Sequence, residues 1–173
     1  MKGTGITLQI NNVQSKIMLD QFLIDGLVKS VGALDTSMNN EAYNYLTVTE
    51  AVSTPWYQSN PIKLLDFAEG YLKLEEILLV YPTDPEAQQR IQLMPHSECI
   101  TFYLERFAIK GNLSMGADMS LSGVLDSLDK RFLTLTEATV FPMFPARTNL
   151  PKNMPLTLLN RAKISHYHLI PCD

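Results

Sequence analysis

The 173-residue chain is 46% hydrophobic and 18% charged, a balance that is typical of a globular protein and excludes an intrinsically disordered one. Its net charge of −4 argues against functions that need a broad basic surface, such as non-specific nucleic-acid binding. Two cysteines, Cys99 and Cys172, do not form the pattern of a disulfide framework or a zinc ribbon. With neither a signal-peptide pattern nor a run of about 18 apolar residues, we expect a cytoplasmic protein that does not bind a membrane.

The first predicted elements are strands. Apolar and polar residues alternate over residues 6–10, and a second strand-like run covers residues 13–24. Gly26 follows this run, and Gly111 stands at the corresponding place in the second half of the chain. A glycine there predicts a positive φ, a bulge or a tight bend in the sheet. Its recurrence favours a shared backbone requirement over a simple turn.

One short helix is predicted in each half. Residues 119–128 place three leucines at helical spacing, and Ser120 can serve as the N-cap. The corresponding region of the first half has Leu34 and Met38 at the same spacing. Because Leu and Met stripes are usually buried, we expect both helices to pack against the core.

The central strand of each half has nearly the same sequence. Residues 46–51 read Leu-Thr-Val-Thr-Glu-Ala, and residues 133–138 read Leu-Thr-Leu-Thr-Glu-Ala. Identical residues continue to match between the two halves at an offset of 87 residues. Upstream of the loop between Gly26 and Leu34, the matching offset is 85 residues. The pattern predicts an internal duplication, with repeats at residues 1–82 and 91–173 and a polar linker at residues 83–90. Each repeat is expected to end on a strand, at residues 71–81 and 156–170.

A proline-rich loop follows each central strand, and its aromatic residues are candidates for an exposed contact surface. Prolines at this density break central strands and leave loops or edges. The predicted interaction surface consists of Trp56, Tyr57, Phe141, Phe144 and Arg147. The alternative interpretation is that these aromatic side chains close the end of a barrel.

Catalytic motifs are scarce in this sequence. No G-x-G-x-x-G, Walker, H-E-x-x-H or G-x-S-x-G pattern occurs. Glu50 and Glu137 recur after the alternating strands, and we interpret them as turn or hydrogen-bonding residues. His166 and His168 could share one face of a strand and bind a metal ion, with Cys172 as a third ligand. His96 is the other candidate for that third position, and a plain polar face is the alternative interpretation.

The order of parts resembles the Sm-like fold, a short, bent, five-stranded barrel that assembles into rings. Its first motif places a glycine after one strand and then an alternating strand that ends in acidic residues and alanine. Gly111 with residues 133–138 looks like this motif, and so does Gly26 with residues 46–51. Residues 159–164, Leu-Asn-Arg-Ala-Lys-Ile, are loosely similar to the second motif.

The resemblance covers most of each half and has clear departures. The asparagine that contacts RNA in the Sm-like family is replaced by Phe132 and by Tyr45. The arginine-glycine pair of the second motif is absent, and a helical insertion separates Gly111 from the strand. The pattern also looks like a group of uncharacterised bacterial proteins. The resemblance implies RNA binding and ring assembly.

These patterns predict a mainly β fold of two tandem small β-barrel or bent-sheet repeats, each with one short helix. We predict a non-enzymatic interaction or scaffold protein, without a cofactor, that binds a protein partner or associates with itself. The first alternative is an Sm-like RNA-binding protein. A metal-dependent hydrolase built on His166 and His168 is a distant alternative.

Overall fold

A computed structural model describes residues 9–57, 61–127, 130–146 and 150–171. Within this part of the chain, ten strands form one antiparallel sheet and three short helices accompany it. The mainly β prediction is confirmed. The strands are β1 (Ile10–Leu19), β2 (Phe22–Val31), β3 (Tyr45–Pro55), β4 (Leu65–Lys73), β5 (Ile77–Pro82), β6 (His96–Tyr103), β7 (Phe107–Met115), β8 (Phe132–Pro142), β9 (Met154–Asn160) and β10 (His166–Leu169). The helices are α1 (Leu34–Met38), α2 (Pro85–Gln89) and α3 (Leu121–Ser127).

The sheet has the strand order β10-β6-β7-β8-β9-β5-β1-β2-β3-β4. The first five strands therefore run β5-β1-β2-β3-β4, and the last five run β10-β6-β7-β8-β9, which is the same order. Strands β9 and β5 join the two halves into one continuous sheet. Among the described residues the sheet is not closed into a barrel, so the prediction of two small barrels is wrong, whereas the mainly β class holds. The equal strand order supports the internal duplication, which stays a prediction from the sequence.

Each predicted terminal strand is two strands with a 3₁₀ turn between them. These turns are Leu74–Glu76 and Arg161–Lys163. In the second, the Asn160 side chain accepts a hydrogen bond from the Ala162 N–H at 3.0 Å, as a capping residue does. The apolar pattern continues through both strands, which is why the break is invisible in a periodicity argument.

The segment predicted as a polar linker contains helix α2. Asp84 caps it, because its side chain accepts a hydrogen bond from the Glu86 N–H at 3.0 Å, and Pro85 occupies the first turn. Helix α3 lies within the predicted range, and the Ser120 hydroxyl accepts a hydrogen bond from Gly123 N–H at 3.1 Å. Helix α1 buries both Leu34 and Met38, as expected for a core-facing stripe.

The hydrophobic core consists of two clusters, and each draws side chains from both halves. The second-half cluster around Phe107 and Leu135 includes Trp56 and Leu79 from the first half. The first-half cluster contains Ile17, Val28 and Leu46, and it includes Phe132, Leu156 and Leu158 from the second half. Since a unit of about 80 residues is marginal on its own, this exchange supplies burial that neither half has alone.

A bulge recurs at the same place in both halves. The register of the β2–β3 pair shifts between Asp25 and Leu27, and the β7–β8 pair shifts between Lys110 and Asn112. The residue with positive φ is an acid, Glu50 or Glu137, each at φ 50°. The predicted bulge is therefore present in both halves, with the unusual backbone angle on the acid of the neighbouring strand.

Candidate functional site

Trp56, the first of the predicted contact residues, is fully buried. Its indole N–H donates to the Leu19 carbonyl at 2.8 Å. Its ring meets the Phe107 ring edge-on, with centroids 5.5 Å apart. Trp56 therefore belongs to the core, and its placement on an exposed surface is wrong.

Tyr57 and Phe144 stack on each other with ring centroids 5.0 Å apart. The Arg106 guanidinium lies over the Tyr57 ring, 5.2 Å from its centroid, and also donates to the Tyr57 hydroxyl. Both rings pack against the second-half cluster. They fit the alternative interpretation, in which loop aromatic residues close the end of the core. Phe141 remains exposed, and Arg147 lies outside the described residues.

His166 and His168 are both exposed on β10 and share one face of the strand. The His166 ring stacks on Tyr103 with centroids 4.3 Å apart, and the His168 ring lies 5.6 Å from the same ring. Among the residues that the structure describes, no group of three or more His, Cys, Asp or Glu side chains is placed to hold a metal ion.

His96 is too distant to be the predicted third ligand. His168 lies opposite Thr101 on β6, and His96 stands five residues before Thr101 on that strand. At about 3.4 Å per residue, this spacing is roughly 17 Å. Cys172, the other candidate, lies outside the described residues.

The two ends of the sheet are free strand edges within the described residues. Strands β4 and β10 each have a neighbouring strand on one side alone within the described part of the chain. Such an edge presents backbone N–H and C=O groups to any strand that can pair with it. Large exposed apolar side chains stand on both edges: Leu65 and Tyr71 on β4, and Tyr167 and Leu169 on β10.

Charged residues accompany Tyr71 on the β4 edge. The Tyr71 hydroxyl donates to the Glu69 carboxylate, and Lys29 Nζ lies 2.9 Å from the other carboxylate oxygen. The hydrogen bond from Tyr71, with Lys29 beside it, lowers the pKa of Glu69. The same bond raises the pKa of Tyr71, since its phenolate would face the Glu69 charge. All three groups are solvent-exposed, so this network orients the tyrosine more than it stabilises the fold.

The junction of β5 and β9 is the one place where the structure joins the two halves strand to strand within the described residues. Leu79 lies opposite Leu159, and Val80 lies opposite Leu158. The Thr157 hydroxyl donates to the Val80 carbonyl at 2.8 Å, and both residues are fully buried. Side-chain hydrogen bonds thus supplement a short strand pairing in an apolar setting.

Positions that are buried at this junction have exposed counterparts at the β4 edge. Phe132 is 0% exposed, whereas Tyr45, 87 residues earlier on β3, is 57% exposed. Leu158 is 0% exposed, whereas Tyr71, at the same offset on β4, is 64% exposed. At the β4 edge, Tyr45 and Tyr71 are therefore exposed. The corresponding residues beside β9, Phe132 and Leu158, are covered by the first half of the chain.

The β10 edge shows the same contrast. Leu79 on β5 is buried, and its counterpart His166 on β10 is exposed. Beyond the edge strands, Trp56 after β3 is buried in the second-half cluster, and its counterpart Met143 after β8 is exposed. The two edges of the sheet thus resemble the two sides of the internal junction with the partner removed.

A small recess between the halves carries positive charge. Arg131, Arg161, Asn39 and Glu41 line it. A guanidinium N–H of Arg131 donates to the Tyr43 carbonyl at 3.0 Å, which holds this side chain at the recess. Two guanidinium groups against one carboxylate can attract an anion such as a phosphate.

Two exposed tyrosines, Tyr71 on the edge strand β4 and Tyr45 on the neighbouring β3, are site residues that the sequence interpretation did not select. Their signal was present, because Tyr45 and Tyr71 stand where the second half has Phe132 and Leu158. A tyrosine in place of a purely apolar residue is typical of a surface that is hydrated in the free protein and buried in a complex. These two substitutions can be interpreted as an exposed surface once the strand order shows that β4 is an edge strand.

No helix in the described part of the chain combines the length and apolar character that a membrane span requires. No family model matches the chain, and neither the curated proteins nor the solved structures contain a significant match.

Proposed function

We propose that this protein is a non-enzymatic interaction or scaffold module whose contact surfaces are the two edges of its sheet, β4 and β10. The observation that carries the proposal is the set of exposed apolar side chains on both edge strands, with Tyr71 the most exposed among them at 64%. Natural proteins usually protect sheet edges with charges, prolines or covering loops. The β4 edge presents large apolar side chains beside charged ones such as Glu69, and the β10 edge presents Tyr167 and Leu169. Exposed apolar side chains of this size suit an edge to binding another strand.

Self-association is the simplest use of these surfaces. Apolar side chains at an interface contribute about 25 cal/mol for each square ångström removed from water. The backbone groups of an edge strand gain hydrogen bonds at the same time, as in strand-addition complexes. Both contributions require an extended partner segment, so we expect association to be lost when one edge strand is altered.

The test is the mass of the purified protein in solution, measured by light scattering behind a sizing column. We expect a mass that is a multiple of 19.5 kDa, and we expect Tyr71→Lys to lower it. Lys110→Gln, an exposed charge change on the interior strand β7, is the control and should leave the mass unchanged. A 19.5 kDa species at every concentration tested would refute self-association.

A second candidate function is RNA binding, as the Sm-like resemblance implies. The observation that favours it is the recess that contains Arg131 and Arg161, because Arg residues are suited to phosphate and nucleobase contacts. The five strands in each half agree in number with the Sm-like fold. The chain's net charge of −4 limits such binding to a local site.

Filter binding with single-stranded RNA tests this second candidate. We expect affinity to fall as salt rises, because phosphate contacts release counterions. Arg131→Gln combined with Arg161→Gln should reduce the affinity by at least tenfold, whereas Lys110→Gln should leave it nearly unchanged. Absence of binding at low salt would remove RNA as the ligand and would leave the edge proposal unaffected.

A further inference from the structure

The internal junction shows how a first-half edge and a second-half edge fit together. Val80 on β5 lies opposite Leu158 on β9 in an antiparallel pair. In the equal strand orders of the two halves, β10 takes the place of β5, and β4 takes the place of β9. The offset of 87 residues carries Val80 to Tyr167 and Leu158 to Tyr71.

Backbone hydrogen bonds give the direction of each group at the internal junction. Thr83 N–H donates to the Gln14 carbonyl on β1 at 2.8 Å. Since N–H directions alternate along a strand, the Val80 N–H points the other way, toward β9. Arg161 N–H donates to the Arg131 carbonyl at 2.9 Å, so the Leu158 N–H points toward β5 by the same alternation.

The two free edges have the same backbone directions. Leu74 N–H donates to the Asn44 carbonyl at 2.9 Å, in continuation of the β3–β4 ladder, so the Tyr71 N–H points away from β3. Ile170 N–H donates to the Cys99 carbonyl at 3.1 Å, in continuation of the β6–β10 ladder, so the Tyr167 N–H points away from β6. Tyr71 and Tyr167 thus point their backbone N–H groups outward. Leu158 and Val80 point the same backbone groups toward each other at the internal junction.

We propose that β4 of one copy of this chain pairs antiparallel with β10 of a second copy, with Tyr71 opposite Tyr167. The register is that of the internal junction, and it places Leu72 opposite His166 and Gly70 opposite His168. The inference rests on the proposed edge function and names its partner. A second copy is the fitting occupant because one chain carries both halves of a contact that it already makes within itself.

The side chains at this contact suit burial. Tyr71 and Tyr167 become a cross-strand aromatic pair, a kind of pair that contributes favourably in antiparallel sheets. Tyr45, which is exposed beside Tyr71, would be buried by the second copy. Its counterpart Phe132 is buried in the same way by the first half of the chain. The contact is heterologous, because it joins two different surfaces, so it leaves one free edge at each end of any open assembly.

Mixing two singly blocked variants tests the head-to-tail contact. Tyr71→Pro removes an outward N–H from β4, and Tyr167→Pro removes one from β10, while proline is tolerated on the free side of edge strands. Each variant alone should be a 19.5 kDa monomer, and an equimolar mixture should form a dimer of twice that mass. Tyr71→Thr and Tyr167→Thr keep the N–H and serve as controls for folding, together with a thermal melt.

A charge exchange tests the register independently of proline. The double variant Tyr71→Lys with Tyr167→Lys should be monomeric, because like charges directly opposite each other are unfavourable. The double variant Tyr71→Glu with Tyr167→Lys should recover assembly at low salt, because the opposite charges meet at that pair. Failure of this recovery, with both variants folded, would overturn the register.

The outcomes separate this inference from the proposed function. A monomeric wild-type protein would refute self-association and this inference together. Wild-type assembly that persists in Tyr71→Pro alone, or in Tyr167→Pro alone, would refute the head-to-tail contact and leave edge-mediated association standing. A mixture that stays monomeric while the wild type assembles would also refute it.

Discussion

Gly26 and Ala51 approach each other so closely that a Cβ built on Gly26 would lie 2.8 Å from the Ala51 Cβ. Gly111 and Ala138 form the corresponding pair in the second half, where the same distance is 3.2 Å. In each half the alanine follows an acid with φ 50° at the bulge of the central strand. The recurring glycine is therefore required by a close approach of two strands.

Gly26→Ala should destabilise the protein by about 1 to 3 kcal/mol, because the added methyl overpacks the contact with Ala51. Gly111→Ala should cost less, since the neighbours of its added methyl lie at 3.2 Å or beyond. Urea unfolding of the two variants measures the difference. Adding Ala51→Gly to Gly26→Ala should recover part of the loss, and strict additivity of the two changes would contradict the contact.

Leu135→Ala should lower the free energy of unfolding by roughly 2 to 5 kcal/mol, as large-to-small changes in a core do. Leu135 is fully buried in the second-half cluster. Denaturant unfolding followed by circular dichroism measures the effect. A loss below about 1 kcal/mol would be inconsistent with this burial.

Asn160→Ala should cost about 1 to 3 kcal/mol, because it leaves buried backbone carbonyls without their donor. The Asn160 side chain donates to the carbonyl of Ile77 at 2.8 Å and to that of Leu74 at 3.3 Å, across the junction of the halves. Thermal unfolding compares this variant with Asn12→Ala, an exposed strand position that should be nearly neutral. Similar melting temperatures for the two variants would show that the junction does not depend on these bonds.

A fragment of residues 91–173 should fail to melt cooperatively. It lacks Trp56, Leu78 and Leu79, which the second-half cluster buries, and it exposes Leu158 to water. Near-ultraviolet circular dichroism and a thermal melt of the fragment are the measurements. A soluble fragment with one sharp transition would show that the shared core is not needed for folding.

Glu69→Gln should lower the pKa of Tyr71 toward its ordinary value, because the Glu69 hydrogen bond and charge both raise it. A pKa raised by folding stabilises the folded state below the ordinary tyrosine value, and that stabilisation is lost as pH rises through the folded value. The lowered pKa of Glu69 acts in the opposite direction, since its stabilisation is lost as pH falls through the folded value. Absorbance titration against a Tyr71→Phe control isolates the Tyr71 signal, and an unchanged titration in Glu69→Gln would contradict the contact.

The sequence alone determined the mainly β class and the central strands. Alternation of apolar residues and threonine over residues 46–51 and 133–138 is a local signal, and the structure has β3 and β8 there. Helix α3 could also be predicted, because Ser120 and the leucine spacing are local as well. Asp84 and Pro85 are also a local helix-start signal for α2. The polar composition of the segment favoured a linker in the prediction.

Tertiary structure decided which strands pair, and with that, which side chains are exposed. Periodicity reports the face of a strand and carries no information about its neighbour, so the β9–β5 junction and the two free edges could not be predicted. Trp56 is buried because Phe107 of the other half lies against it, whereas Tyr71 is exposed because the described residues place no strand beside it. Burial at these positions depends on contacts between residues far apart in sequence, and a local pattern does not contain them.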